Sequence, residues 1–186
     1  MTERFHCLDP ETSVVLVIDL QERLARAMDP QAWERVEQAV VKLVRGAGLL
    51  SVPVVATEQY PRGLGPTVGS VRALLEAAPV EKTDFSCWRE AGVRAVLEAA
   101  GSKQVVICGM ESHVCVFQTV RDLVGAGYSP FVVSEAVLSR TAENRALGLS
   151  LMREAGAVVT GLEVVLFDWL GGSQHPRFRD VSALIR

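Results

Sequence analysis

The chain has 186 residues, 49% of them hydrophobic and 22% charged, with a formal net charge of −3. That length suits one domain whose core needs no disulfide staples, so residues 1–186 are read as a single domain. The composition excludes a disordered chain, and an acidic balance without a long basic run lacks the electrostatic footprint of a nucleic-acid binder.

The apolar runs are short. Val14–Ile18 is typical, and it falls far short of the ~20 residues of a membrane span. The opening MTERFHCLDPET has no apolar h-region of a signal peptide. The expectation is a cytoplasmic protein with reduced thiols, no membrane partner and no nucleic-acid partner.

In chain order, SVVLVI (13–18) is the first strand, apolar at successive positions as a strand buried on both faces should be. Asp29-Pro30 then opens a helix over 30–48, with Asp29 as N-cap and Pro30 at the first helical position. VPVVA (52–56) is the second strand. The stretch 56–69, dense in glycine and proline, reads as loop. PVEK (79–82) is a weak third strand, followed by a helix over 90–100 that ends at Gly101. QVVICG (104–109), PFVVS (130–134) and GAVVT (156–160) are further strands, separated by helices over 115–126 and 141–155. From Trp169 onward the chain reads as loop before a short terminal helix.

Strands alternating with helices predict an α/β fold: a doubly wound, mostly parallel sheet of about six strands with helices on both faces. Ligands bind such sheets outside the carboxyl ends of the strands, so chemistry is sought there. No G-x-G-x-x-G follows the first strand, and GLGPTVGS lacks the Gly-Lys-Ser/Thr ending of a phosphate loop.

Three strand-end residues stand out. Asp19 ends an apolar strand, where a carboxylate needs a partner; a cap or loop hydrogen bond would also explain it. Lys82 ends the weak strand and taken alone is a solvated lysine. Cys115 begins a helical stretch, where the dipole and free N–H groups favour a thiolate and could hold an oxyanion. Of the other cysteines, Cys108 lies within a strand as a small hydrophobe, and Cys7 and Cys87 read as incidental. There is no C-x-x-C pair and no histidine cluster, so a zinc site is not expected. Together an acid, a lysine and a thiol form a coherent set: the carboxylate takes the thiol proton, the ammonium stabilises the thiolate, and the sulfur attacks a carbonyl-like carbon.

DLQ at the first strand, the lysine at the third, and GMESHVCV after the fourth resemble the isochorismatase-like cysteine hydrolase superfamily, which includes nicotinamidases. TEQYPRGLGPTV and KTDFSCW further resemble its isochorismatase domain-containing branch, and the likeness runs from about residue 13 to 170. The resemblance implies that Asp19, Lys82 and Cys115 are the catalytic residues. It also implies a cis peptide between Met110 and Glu111, and an oxyanion hole made by the backbone N–H groups of Glu111 and Cys115. A homo-oligomer is implied as well.

One departure bears on function. Nicotinamidases carry an Asp and histidines after the second strand that bind a metal, whereas ATEQYPRGLGPT has no histidine and one carboxylate, Glu58. His113 reads as a loop contact rather than a ligand. No catalytic metal and no cofactor are expected. The resulting expectation is a metal-independent cysteine hydrolase that cleaves a small amide, imide or ester through a thioester-type intermediate. A nicotinamidase-type amidase and a catalytically silent binding protein are the alternatives. Gln21, Gln59, Tyr60, Phe85 and Trp88 are candidate substrate-binding residues, each with simple packing or a subunit contact as the other reading.

Overall fold

The structure is a computed structural model that describes residues 7–101 and 103–186. The first six residues, on which the reading of the amino terminus partly rests, lie outside the described residues. Strands β1 (Ser13–Ile18), β2 (Val54–Gln59), β3 (Val80–Lys82), β4 (Gln104–Met110), β5 (Ser129–Leu138) and β6 (Val158–Thr160) form one sheet in the order β3-β2-β1-β4-β5-β6. Every neighbouring pair is parallel.

β1 and β4 are buried at every residue, as central strands covered on both faces must be. Side chains of β1 alternate between two cores. Val15 and Val17 face helices α2 (Pro30–Leu49), α8 (Leu162–Leu170) and α9 (Phe178–Leu184), which contribute Val40, Leu43, Leu166, Trp169 and Val181. Val14, Leu16 and Ile18 face α5 (Ala91–Ala99), α6 (Phe117–Gly125) and α7 (Ala142–Glu154), which contribute Val93, Leu97, Val120, Leu123 and Met152. Each fully buried Leu or Val contributes about 1.5–3 kcal/mol relative to exposure. Short helices α1 (Glu22–Arg26), α3 (Pro61–Leu64) and α4 (Gly69–Arg72) complete the chain on the β1–β2 side.

The N-terminus of α2 is capped as expected, with the Ala32 N–H donating to Asp29 Oδ1 at 2.8 Å. Two segments differ from expectation. The glycine- and proline-rich stretch holds the single turns α3 and α4 inside its loop. The chain from Leu162 forms α8, which is apolar over most of its surface and therefore shows no amphipathic period; Gly171, at φ +64°, ends it.

β2 and β3 lie to one side of β1, and β4, β5 and β6 to the other. The strand order thus reverses between β1 and β4, and a crevice opens at their carboxyl ends. Gly109, near the end of β4, makes this junction possible. It has φ +127°, and a Cβ there would lie 2.0 Å from the Ile18 carbonyl oxygen. Among the described residues no helix is long and apolar enough to cross a membrane.

Candidate active site

The first residue after β1 is Asp19, and its backbone turns sharply at φ +51°. The turn is held by the Gln21 N–H donating to the Asp19 carbonyl (2.8 Å) and the Asp19 N–H donating to the Thr57 carbonyl (3.2 Å). The carboxylate is engaged on both oxygens. Oδ2 lies 2.7 Å from Lys82 Nζ, and Oδ1 accepts from Thr57 Oγ1 at 2.8 Å. Cys115 lies close enough to Asp19 that each shifts the titration of the other.

Lys82 is the last residue of β3, at the sheet edge, and its side chain reaches inward along the strand ends. Beyond Asp19, Nζ donates to Gln59 Oε1 (2.6 Å) and to the carbonyls of Asp84 and Phe85 (3.1 Å each). Neither Asp19 nor Lys82 exposes any of its side chain. Two charges withdrawn from water in this way survive because every polar atom has a partner.

Cys115 sits in a single π-helical turn, Ser112–Val116, that leads from β4 into α6. Such turns are frequent at functional sites. The Thr119 hydroxyl donates to the Cys115 carbonyl (2.7 Å) and accepts from the Cys87 N–H (2.9 Å), tying the turn to the loop after Lys82. The Met110–Glu111 peptide is cis.

Charge and burial set the protonation states. Burial pushes the Cys115 thiol above its ordinary range, Asp19 adds to that push, and Lys82 opposes it. This departs from the thiolate expected of a helix N-terminus: burial and the neighbouring carboxylate both favour the protonated thiol. Burial also raises the Asp19 carboxyl, against the pull of Lys82. For Lys82, burial favours loss of the proton, but Asp19 and the thiols of Cys87 and Cys115 overcome it and hold the ammonium above its ordinary 10.5. The thiol is thus held protonated beside the buried Asp19–Lys82 pair.

The five expected pocket residues divide. Gln21 is fully buried, and its amide is spent on the neighbouring loop: Nε2 donates to the carbonyls of Gln59 (3.1 Å) and Gly65 (2.6 Å), and Oε1 accepts from the Gln59 N–H (2.8 Å). Gln59 bridges Lys82 and the Thr83 carbonyl. Tyr60 and Phe85 are exposed, at 57% and 52%. Tyr60 and Lys82 share the wall of a 340 Å³ pocket with Thr83 and Glu90. Trp88 is half-buried, with its ring edge-on to Tyr128.

Two further residues, Thr57 and Cys87, adjoin the site. Thr57 lies within β2, and nothing in the sequence around it distinguishes it. Cys87, read as incidental, is fully buried with its sulfur 3.5 Å from Thr57 Oγ1. Burial, with Asp19 adding, pushes its thiol up to about 11. It stands in a single 3-10 turn, Cys87–Arg89, too short to show a period from which burial could be read. Among the described residues no three His, Cys, Asp or Glu side chains gather as a metal-binding group. Glu58 is occupied instead by the N–H and hydroxyl of Thr67, both at 2.7 Å, with Arg72 3.8 Å away.

Comparison with known proteins agrees with this fold. The sequence is 38% identical over 190 residues to the secreted isochorismatase effector Isc1 of Phytophthora sojae, covering 100% of this chain and 90% of that protein. It is 34% identical over 179 residues to isochorismatase domain-containing protein 1 of Danio rerio; that match covers 96% of this chain but 62% of the longer zebrafish protein. The solved structure of the MAR1 ribonuclease from Caenorhabditis elegans superposes with a TM-score of 0.90 at 36% identity, covering 97% of this chain and 92% of that one. The sequence model of the isochorismatase domain matches residues 13–164, and the chain belongs to that family.

Proposed function

We propose that the protein is a metal-independent cysteine hydrolase that cleaves a small amide, imide or ester through a thioester. The observation that carries this reading is the fully buried Asp19–Lys82 pair at the reversal of strand order, with the Cys115 thiol near enough to feel both charges. In the first half-reaction Asp19 accepts the thiol proton as the sulfur bonds to the carbonyl carbon. The N–H groups of Glu111 and Cys115 hold the oxyanion, and Lys82 balances the charge left among the sulfur and carboxyl groups. The tetrahedral adduct collapses by breaking the C–N or C–O bond, and the leaving amine or alcohol takes the proton from Asp19. In the second half-reaction Asp19 deprotonates water, the hydroxide adds to the thioester, and the C–S bond breaks. The sulfur then regains the proton and a carboxylic acid departs.

Several features support this reading over others. Glu58 is engaged by Thr67 and Arg72, which suits chemistry without a metal at the place where nicotinamidases hold theirs. The name of the nematode neighbour raises cleavage of RNA, but a chain of net charge −3 offers a phosphate backbone little attraction. Four unpaired cysteines suit a reducing cytoplasm. Val164 and Phe167, exposed at successive turns of α8, suit a homo-oligomer, which native mass spectrometry would count.

The test is a panel of small amides, imides and esters, read by product formation and by mass on the peptide that contains Cys115. A substrate should leave an acyl group there, and Cys115→Ala should abolish turnover. Turnover that survives Cys115→Ala would refute the nucleophile, and a panel with no turnover at all would favour a binding protein.

A further inference from the structure

The nucleophile turn is held from a second direction, by the connection between β5 and α7. The Glu111 carboxylate accepts through Oε2 from the Arg140 backbone N–H at 3.0 Å and from Arg140 Nε at 3.1 Å. Two residues on, His113 Nδ1 shares a hydrogen bond with Ser139 Oγ at 3.1 Å. Gly148 of α7 presses against the same backbone: a Cβ there would lie 2.6 Å from the Ser112 carbonyl carbon and 2.8 Å from the His113 nitrogen.

The Glu111–Arg140 contact has the form of a positioning device rather than a stabilising one. The Arg140 side chain is 60% exposed and that of Glu111 11%, and half-exposed ion pairs add little to stability. Its geometric effect is larger. The Glu111 carbonyl accepts from the N–H groups of Val114 (3.0 Å) and Val116 (3.2 Å), so it is tied to the nucleophile turn. The carboxylate is tied to Arg140. A residue held at both its carbonyl and its side chain has a fixed Cα frame, and with Met110 held in β4 on the other side, the Met110–Glu111 peptide that carries the Glu111 N–H is fixed at both ends.

We propose that Arg140 is a positioning residue that acts through the Glu111 carboxylate to aim the Glu111 N–H at the oxyanion. This rests on the reading of Cys115 as nucleophile and of the Glu111 N–H as oxyanion donor. A donor that is misaimed costs rate where negative charge develops on oxygen, and nowhere else.

Two probes separate those cases. Iodoacetamide alkylates Cys115 by forming a C–S bond as the C–I bond breaks, with no charge developing on a carbonyl oxygen. p-Nitrophenyl acetate acylates Cys115 through a tetrahedral oxyanion and releases p-nitrophenolate. In the full-length protein, Arg140→Ala should slow acylation about 10- to 100-fold while alkylation of Cys115 stays within about twofold of the parent. Arg140→Lys, which restores a donor without the fork, should recover part of the loss, as should Glu111→Gln relative to Glu111→Ala. Acylation by Arg140→Ala at the parent rate would overturn the proposal and leave the nucleophile intact. Alkylation and acylation falling together would also overturn it, since that marks a change at the thiol or in the fold. Acylation that persists in Cys115→Ala would instead remove the underlying reading of the site, and this proposal with it.

Discussion

Lys82 Nζ lies 2.7 Å from Asp19 Oδ2, and neither side chain reaches water. The two residues come from strands separated by β2, so the pair closes the crevice across the sheet. Removing one member leaves a buried charge without its partner. Lys82→Met should therefore destabilise the protein by about 3–5 kcal/mol at neutral pH in urea denaturation. The loss should shrink as pH falls, because Asp19 without Lys82 takes up a proton more readily and becomes neutral. Adding Asp19→Asn to Lys82→Met should recover much of the stability but no activity. A Lys82→Met protein as stable as the parent at pH 8 would contradict the burial of a charged pair.

The proposed chemistry requires an ionised Asp19 and a charged Lys82. Burial raises the Asp19 carboxyl, so the acid limb of the kcat profile should fall above the ordinary 3.8. Lys82 is held up against burial by Asp19 and the nearby thiols, so the alkaline limb should fall above 10.5. Stability follows the sign of the Lys82 shift. The folded state binds this proton more tightly than the unfolded state, so the contribution is full below 10.5 and lost as pH rises through the folded value. Melting temperature against pH, parent beside Lys82→Met, measures this: the parent curve should drop more steeply at alkaline pH.

The Thr57 hydroxyl donates to Asp19 Oδ1 at 2.8 Å and thereby favours the ionised carboxyl. Thr57→Val keeps the shape of the side chain and removes the donor. It should move the acid limb to higher pH, with kcat at the plateau reduced far less than in Asp19→Asn. An unmoved acid limb would show that the hydroxyl has no effect on the base.

Gly109 packs against the backbone of Ile18 where β1 and β4 diverge. A Cβ there meets a main-chain oxygen, which cannot swing aside as a side chain could. Gly109→Ala should destabilise by about 3 kcal/mol or more and displace the turn that carries Cys115. Gly171→Ala is the control. It also has a positive φ, at +64°, but nothing lies within 4 Å of its Cβ position, so its cost should be about 1 kcal/mol.

Much of this architecture is readable in the residues themselves. Buried parallel strands such as 13–18 and 104–110 are continuous apolar runs, and Asp29-Pro30 announces α2 through its own capping chemistry. Other elements carry no such mark. α8 is apolar nearly all round, so no period distinguishes it. β3 is three residues long, and only its pairing with β2 defines it. At the site, Asp19, Lys82 and Cys115 stand at strand ends and could be found by position. Thr57, Cys87 and Arg140 join the site through contacts between segments distant in the chain, which no local pattern encodes. Gln21 shows the reverse case: its place beside Asp19 suggested a substrate contact, while its amide is consumed in holding the loop of Gln59 and Gly65.

The most direct test is a burst experiment with p-nitrophenyl acetate near neutral pH. The expected result is a rapid release of about one p-nitrophenolate per chain by the parent, with the acetyl group recovered on Cys115. The burst should be absent in Cys115→Ala and slowed by about 10²–10⁴-fold in Asp19→Asn. A burst of full size in Cys115→Ala, or one of undiminished rate in Asp19→Asn, would contradict a thiol nucleophile with Asp19 as its base.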